Sequence, residues 1–390
     1  MRSSSLLLHV ARVLAITVVA GAVAPQLQAQ GNLSTQGFGY APGQLSTRAL
    51  GTGGSIAELD PLSPLNPASI ALHQTKILEF QIEPEFRTLN SPTGSEHTTI
   101  ARYPNILAAF PVGKGWVISA GASTLLDRTS TTEFNTTQFI GGQDTVPMHT
   151  TYRIDGAMSD LRLAAAYNVK PWLRIGFGLH GVTGHNLVSI TQTFTDSVQF
   201  ASFNQELVLD FTGLAGSAGF QATSKSWGLG VSGRLGGDIR AQVEDTVLSR
   251  AKVPSRFGAT LAYTGIANSA FSIRTSWDGW SSLKGLGSGD ATPVDAWDSG
   301  IGADIAGPHI GQKIVYLRAG LRTRTLPYEA RGLDDVEHKV TENSGSAGFG
   351  TTFANGRVIT DFAAIYANRS AGLPATEHAW TLSFGLSLRP

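Results

Sequence analysis

The chain has 390 residues, with 29 basic and 29 acidic side chains, and contains no cysteine. The zero formal net charge leaves no basic excess to neutralise phosphates, so composition excludes a nucleic-acid-binding class. The absence of thiols excludes disulfides, cysteine-based zinc sites, cysteine nucleophiles and a lipid-modified cysteine at a mature N-terminus. Hydrophobic residues make up 42% of the chain and charged residues only 15%, a balance that a soluble protein of this size does not need.

Residues 1–29 have the composition of a secretory signal peptide. Basic residues near the start precede an apolar stretch from Val13 to Val23, which ends shortly before Ala29. This stretch is shorter than the roughly 20 residues that a membrane-spanning helix needs. The segment therefore predicts a signal peptide cleaved after Ala29 rather than a membrane anchor.

The segment Ser46–Leu72, here called the hatch, differs from the sequence that follows it. It is rich in glycine and proline, and its apolar residues lack the period of two that a strand requires. This pattern predicts short helical pieces and turns, with a turn at Asn66 because Pro67 disfavours helical geometry at the preceding residue. We expect residues 30–74 to form an N-terminal extension and hatch inside a barrel built by residues 75–390. The predicted gating residues are Gly51, Gly53, Gly54, Asn66, Pro67 and Ala68.

From about Lys76 onward, short runs of alternating apolar and polar residues are separated by turn residues. The clearest run is 78–87, in which the apolar residues predict one face and the polar residues the other. Pro84 lies in the apolar row and predicts a bend or bulge. The other predicted strands are Asn105–Val112, Trp116–Leu126, Asp160–Val169, Leu173–Val182, Val208–Gln221, Trp227–Val243, Ser255–Thr264, Ala270–Trp280, Ala296–Ala306, Ile314–Thr325, Gly345–Phe353, Val358–Ala367 and His378–Leu388.

These strands predict an all-β fold, a transmembrane antiparallel β-barrel of about 14 strands with an N-terminal hatch. An even strand number is typical of single-chain barrels in the outer membrane of Gram-negative bacteria. Short connections such as 113–115 alternate with long polar ones such as 127–154, as periplasmic turns and extracellular loops do in such barrels. We therefore expect outer-membrane lipids around the outer face.

The tryptophans fall near the ends of predicted strands, where barrels carry aromatic girdles at the membrane interfaces. Burial in an ordinary core is the alternative for such residues. The set comprises Trp116, Trp172, Trp227, Trp277, Trp280, Trp297 and Trp380.

Charged residues of both signs occupy rows that are predicted to face the lumen. Interior charges must be hydrated or paired, so these residues are predicted to brace the wall or dock the hatch. Direct contact of an arginine with a substrate carboxylate is the alternative. The predicted lumen-lining residues are Arg274, Asp278, Asp298, Asp304, Arg318, Arg322 and Arg324.

The sequence contains no local enzyme motif, because G-x-S-x-G, H-E-x-x-H and a phosphate-binding glycine loop are all missing. His180 is predicted to stand alone in the lumen, as a lining residue rather than a base. A hydrolase assembled from distant residues stays open, since triads are spatial and not sequential. We expect no catalytic residue, metal or cofactor.

The hatch resembles that of the FadL/TodX family of outer-membrane transporters for long-chain fatty acids and other hydrophobic compounds. ALGTGGSIAELDPLSPLNPASIAL places Asn66, Pro67 and Ala68 on the family's Asn-Pro-Ala motif. Two later stretches are also similar, VPSRFGATLAY with SWDGWSSL (Val253 to Leu283) and YLRAGLRTRTLPYEARGLDD (Tyr316 to Asp335). The chain ends in Leu388-Arg389-Pro390, which departs from the aromatic end common in outer-membrane proteins.

The resemblance implies passive uptake of a hydrophobic small molecule, either a long-chain fatty acid or another compound. It implies capture in an extracellular apolar groove, a shift of the hatch around Asn66-Pro67-Ala68 and exit sideways through the wall. PorV-like secretion components share the hatch and do not import lipids, so a structural or secretion-partner barrel is one alternative. A general porin is another, and the sequence identifies neither a substrate nor a protein partner.

Overall fold

A computed structural model describes residues 38–92, 94–140, 144–194, 201–286, 291–310, 313–331 and 336–390. The predicted signal peptide, residues 1–29, lies outside the described residues.

Fourteen of the strands in the described part of the chain close into one antiparallel barrel, which confirms the predicted fold class. The first and last strands close the ring, with Leu78 paired to Leu388. The strands are β1 (Ile77–Ser91), β2 (Gly94–Gly113), β3 (Trp116–Asp127), β4 (Ser130–Ile140), β5 (Asp144–Lys170), β6 (Leu173–Phe194), β7 (Phe203–Thr223), β8 (Trp227–Val243), β9 (Thr246–Lys252), β10 (Arg256–Tyr263), β11 (Ser269–Asp278), β12 (Ala296–Ile310), β13 (Lys313–Arg331), β14 (Glu337–Phe353), β15 (Val358–Ser370) and β16 (Thr376–Leu388).

Strands β4 and β9 lie outside the ring, because β4 pairs only with β5 and β9 only with β8. The stretch 127–154, predicted as a long loop, is instead a hairpin formed by β4 and the first part of β5. Thr131 and Glu133 of β4 are both exposed, and a strand without a buried face carries no period-two signal. At the same end of the barrel, β1 and β2 are joined by only two residues, so the predicted alternation of short and long connections is wrong there.

The side chains of β1 alternate across the wall as predicted. Glu79 and Glu85 face inward and are buried, whereas Phe80 and Phe86 are exposed on the outside. The expected irregularity near Pro84 lies on the neighbouring strand, where β2 has an extra residue between the partners of Gln81 and Glu83. The outer wall is therefore apolar and the inner wall polar, as a bilayer requires.

Five of the seven tryptophans lie exposed on the outer wall: Trp116, Trp172, Trp227, Trp297 and Trp380. Trp277 stacks against Phe257 with ring centroids 6.1 Å apart. Trp280 departs from the prediction, because it is only 5% exposed and packs edge-on against Phe38. Strand β11 ends at Asp278, and the chain continues into a 3₁₀ helix that carries Trp280 into a buried cluster.

The helices are short. They are α1 (Thr47–Gly51) and the 3₁₀ helices Pro67–Leu72, Trp280–Leu286 and Ala354–Gly356. Among the described residues, no helix is long and apolar enough to cross a membrane. Helix α1 begins at Ser46, whose side chain accepts a hydrogen bond from the amide of Ala49, a standard N-terminal cap.

In the described part of the wall, the seam between β2 and β3 is incomplete. Their ladder runs from Gly113 and Trp116 up to Asn105 and Ser123 and stops there. Beyond it, residues 94–104 of β2 pair only with β1 in the described structure. The unpaired part lies level with Phe86, which pairs with Thr99 and with the exposed Trp380. Between β2 and β3, the described wall thus lacks ladder hydrogen bonds at the level of Phe86 and Trp380.

Two apolar clusters inside the barrel join the hatch to the wall. One contains Leu50, Ile56 and Leu65 of the hatch together with Ala363 of β15. The other packs hatch residues against β2, β3 and β5, with members Leu62, Ile70, Ala71, Ile77, Ala109, Val117, Ala164 and Ala166. Apolar burial therefore favours a hatch seated within the barrel.

Candidate functional site

The hatch fills the lumen between the wall strands. Nearly all of its residues are buried, and Leu72 at its end is exposed. Below the mouth of the barrel, the cavity beside Gln44 and Arg234 has a volume of only about 40 Å³. A much larger concavity of about 870 Å³ lies over β10–β16 on the outer wall. Because exposed apolar residues such as Leu261 and Leu321 line it, it faces lipid and is no internal chamber.

The predicted glycines place a hatch turn directly on the wall. Gly53 and Gly54 have φ angles of +65° and +78°, a left-handed conformation that glycine adopts without strain. Gly320 of β13 supplies the complementary gap, because a Cβ there would lie 2.1 Å from the backbone of Thr52. Gly51 has ordinary clearance, with Arg318 at 3.4 Å. The turn and the wall thus meet backbone to backbone.

The Asn66-Pro67-Ala68 motif begins the second hatch helix and ties it to the wall. The Asn66 Oδ1 accepts from the Ala68 amide at 2.9 Å, while its Nδ2 donates to the carbonyls of Glu58 at 2.9 Å and Phe220 at 3.2 Å. Pro67 is the first helical residue, where its missing N–H costs nothing. One side chain therefore joins two parts of the hatch to β7.

Wall glycines leave room for this motif. A Cβ on Gly219 would lie 2.2 Å from the Asn66 Oδ1, and a Cβ on Gly176 would lie 2.4 Å from the Ala68 amide nitrogen. The seat of the motif therefore consists of bare backbone on β6 and β7.

Glu58 is a buried carboxylate of the hatch that contacts three wall strands. It bonds to Arg256, accepts from the Ser232 hydroxyl at 2.6 Å and lies 3.7 Å from the Arg274 Nε. Burial opposes its ionisation, but the two guanidiniums outweigh burial and hold the pKa of Glu58 below its ordinary value. Sequence reasoning missed this residue because its partners are remote in the chain.

All seven predicted lumen-lining side chains lie inside the barrel, and each contacts an opposite charge. Asp298 lies 3.0 Å from Arg274 and 2.7 Å from Arg322. Asp278 is 4.0 Å from Arg256. These contacts join neighbouring wall strands, so each of these interior charges has a partner of opposite sign.

The remaining predicted charges link the wall to the segments within it. Asp304 accepts from Arg318 at 3.3 Å and from Arg48 of helix α1 at 3.0 Å. Arg324 contacts Glu342 at 2.7 Å and donates to the Ala41 carbonyl at 2.8 Å. The arginines that seemed available to a substrate are thus already satisfied by the protein.

Tyr40 lies at the centre of a charge cluster that was not predicted from the sequence. Its hydroxyl contacts Arg324 and donates to Glu342 at 3.1 Å. Four guanidinium carbons lie 4.6 to 5.3 Å from its ring centroid, a favourable arrangement of cations over an aromatic face; they belong to Arg87, Arg102, Arg324 and Arg369. Its backbone also bridges to Asp127 beside the incomplete seam. The residue precedes the segment that sequence reasoning singled out.

His180 does not stand alone, contrary to the prediction. Its Nδ1 lies 2.8 Å from Asp160 and its Nε2 lies 2.8 Å from the Ser217 hydroxyl. This is the order of groups in a hydrolytic triad, supplied by the adjacent strands β5, β6 and β7. Asp160 also accepts from Arg234 at 3.1 Å and Gln44 at 3.0 Å, and Ser217 is only 9% exposed. The arrangement ties three wall strands to the chain entering the hatch.

In the part of the chain that the structure describes, no group of three or more histidine, aspartate or glutamate side chains could hold a metal ion. Many of the polar groups described in the lumen bond to one another or to the hatch.

No family model matches the sequence, and no curated protein matches it significantly. Solved structures do match: a Pseudomonas aeruginosa FadL homologue aligns with a TM-score of 0.58 and 12% identity, over 90% of this chain and 99% of that one. This chain shares the FadL/TodX fold. The monoaromatic hydrocarbon channel CymD aligns at 0.56 and 14% identity, over 89% and 97% of the two chains. The P. putida toluene transporter TodX aligns at 0.54 and 12% identity, over 92% and 99%.

Proposed function

We propose that this protein is a passive outer-membrane transporter of hydrophobic small molecules, long-chain fatty acids among them, and that the hatch gates it. The observation that carries the proposal is a lumen closed by the chain's own hatch, which is held mainly by side-chain hydrogen bonds and buried contacts. Such contacts can break and reform without unfolding the wall. Two of the solved structures similar to this chain are a toluene transporter and a monoaromatic hydrocarbon channel, which supports a hydrophobic cargo.

Transport requires the hatch to leave its seat. Asn66 is the pivot of this step, because its side chain joins the Glu58 and Phe220 carbonyls. The incomplete seam between β2 and β3 supports sideways exit into the membrane, since no ladder hydrogen bonds need to break there. A permanently open porin fits less well, because the hatch occupies the lumen.

A reversible lock on the hatch tests the proposal. The Ser55 hydroxyl of the hatch lies 2.6 Å from that of Ser272 on β11, and the chain has no cysteine of its own. The double variant Ser55→Cys/Ser272→Cys is therefore expected to form a single disulfide. In Gram-negative cells that lack their own hydrophobic channel, uptake of labelled dodecanoate should fall at least tenfold on oxidation and recover on reduction.

The matched control joins two wall strands and leaves the hatch free. The hydroxyls of Thr275 and Ser299 are 3.0 Å apart on β11 and β12, so Thr275→Cys/Ser299→Cys should transport equally well oxidised or reduced. Unchanged uptake through the locked hatch, or no uptake by the wild-type protein, would refute the proposal. Stable co-purification with other envelope proteins, together with no uptake, would instead favour a structural or secretion-partner barrel.

A further inference from the structure

One end of the barrel is ringed by exposed basic side chains. The connections between strands are short at this end, as periplasmic turns are. The basic side chains are spread around the ring, from the β2–β3 turn to the junction of β16 with β1. They are here called the rim cations and comprise Lys76, Lys114, Lys170, Lys225, Lys313, Arg357 and Arg389.

The sequence at this end supplies no acid to balance the rim cations. Glu79 and Asp361, the first acids along β1 and β15, are buried on the inward side of the wall. Among the described residues, no rim cation takes part in an ion pair. Asp and Glu are missing from the sequences of the segments at this end, which are 72–77, 111–116, 169–173, 223–227, 264–268, 306–313, 353–358 and 388–390.

The opposite end of the barrel has a different charge pattern. Exposed acids occur there, among them Glu96, Glu133 and Glu206, together with exposed cations such as Arg153. The formal net charge of the whole chain is zero. The basic rim is therefore a local asymmetry that the overall composition does not require.

Three of the rim lysines come two residues before an exposed tryptophan. Lys-Gly-Trp, Lys-Pro-Trp and Lys-Ser-Trp span the turns β2–β3, β5–β6 and β7–β8, and their tryptophans are Trp116, Trp172 and Trp227. The Lys170 Nζ lies 5.8 Å from the ring centroid of Trp172, and the Lys313 Nζ lies 4.2 Å from that of Phe353. Because tryptophans on the outer wall lie at the level of the lipid headgroups, the neighbouring ammonium groups lie at the depth of the lipid phosphates.

The remaining rim cations place like charges side by side. Arg357, Arg389 and Lys76 lie at the ends of the adjacent strands β15, β16 and β1. The Arg389 amide donates to the Arg357 carbonyl at 2.7 Å, so the backbone holds two of these residues together. Like charges on neighbouring strands repel each other, and a bound anion would offset this repulsion.

We propose that the rim cations bind the phosphate groups of anionic phospholipids in the periplasmic leaflet of the outer membrane. Lysine and arginine near an anionic membrane surface are attracted to it. The pairing of rim cations with aromatic rings on the outer wall favours lipid over a soluble protein, because lipid surrounds the wall whereas a soluble protein does not reach its membrane face. The inference does not depend on what the protein transports.

Quenching of tryptophan fluorescence by brominated lipids tests this assignment. The wild type is reconstituted in phosphatidylcholine vesicles that contain a minor fraction of brominated phosphatidylglycerol or, in a parallel sample, brominated phosphatidylcholine. At low salt we expect the anionic lipid to bind about threefold more strongly than the zwitterionic one, and we expect added salt to weaken this preference.

Two variants with the same change in charge locate the effect. The rim variant, Lys114→Gln/Lys170→Gln/Lys225→Gln/Lys313→Gln, should bind the two brominated lipids about equally. The matched control removes four exposed cations from the opposite end and should keep the preference of the wild type; it is Arg153→Gln/Arg250→Gln/Lys284→Gln/Lys339→Gln. Heat-dependent gel mobility of both purified variants verifies that their barrels are folded.

Several outcomes would overturn the assignment. One is equal binding of the two lipids by the wild type, and another is an unchanged preference in the rim variant. Equal loss of preference in the rim variant and the control would show a general effect of net charge. A preference that inorganic phosphate abolishes, while sodium chloride of the same ionic strength does not, would assign the rim to free anions. None of these readouts uses uptake, so failure of the transport proposal leaves the test intact.

Discussion

At the scale of single residues, Asn66 makes the side-chain hydrogen bonds that hold the Asn66-Pro67-Ala68 motif in place. Asn66→Ala removes the acceptor of the Ala68 amide and the donor to two carbonyls. Leaving such groups unsatisfied costs about 1–3 kcal/mol each. We expect more frequent openings in planar-bilayer conductance recordings of the variant. Asn135→Ala alters an exposed residue of β4 and should open as rarely as the wild type. Equal opening frequencies for the two variants would contradict the role of Asn66 in holding the hatch.

Glu58 gives a second prediction, because its charge holds hatch and wall together. Replacing one partner of a buried ion pair costs about 3–5 kcal/mol, so Glu58→Gln should unfold at a lower denaturant concentration than the wild type at neutral pH. A carboxylate with a lowered folded pKa adds stability above its unfolded value and loses it as pH falls. The stability gap between the two proteins should therefore shrink as pH falls below the ordinary value of 4.5. A gap that is constant from pH 7 to 3 would show that the Glu58 charge is not responsible.

Alternation assigned many single residues to the correct side of the wall, since strand geometry sends successive side chains to opposite faces. It could not assign their partners. Arg274 and Arg322 were predicted as inward cations, but the carboxylate that they share, Asp298, depends on cross-strand register. Register follows from how many residues each connection contains, and the β2 bulge opposite Ile82 shows that a single extra residue changes it.

At the scale of elements, the contact between the hatch turn and β13 depends on missing side chains. Gly320→Val would place a Cβ 2.1 Å from the Thr52 backbone, so the turn should be displaced from the wall. We expect proteolysis to cleave the hatch of this variant faster than that of the wild type, while the barrel keeps its heat-dependent gel mobility. Gly345→Val is the control, because its nearest neighbour is the flexible Leu321 side chain at 3.7 Å. Equal hatch cleavage in both variants would show that the direct backbone contact between the hatch turn and β13 does not hold the hatch in place.

The sequence located the elements of the ring well where one face meets lipid and the other meets polar lumen. It failed at β4 and β9, which extend beyond the ring. Exposed strands need no alternation, so their sequences read as polar loops. The prediction also failed at the end of β11. Tryptophan is a residue type common in membrane girdles, but the chain after β11 carries Trp280 into a buried cluster.

At the scale of the whole molecule, we expect the barrel wall to fold without the hatch. Replacing residues 46–72 by a glycine-serine linker of equal length removes the hatch and keeps the fourteen paired strands. The open lumen then fills with water around its interior charges, so the variant should show a steady ionic conductance where the wild type is mostly closed. Conductance that stays as low as that of the wild type would mean that other segments close the barrel.

The sequence by itself determined the class of the molecule. Period-two alternation, an apolar outer row and a non-alternating early segment are local properties, and each follows from strand geometry and from the solvents on the two sides of a wall. Only the tertiary structure decided which charges pair, that Tyr40 lies among four arginines, and that His180 joins Asp160 to Ser217. These facts depend on ring closure and on the path of the hatch within it, which bring together residues hundreds of positions apart in the chain.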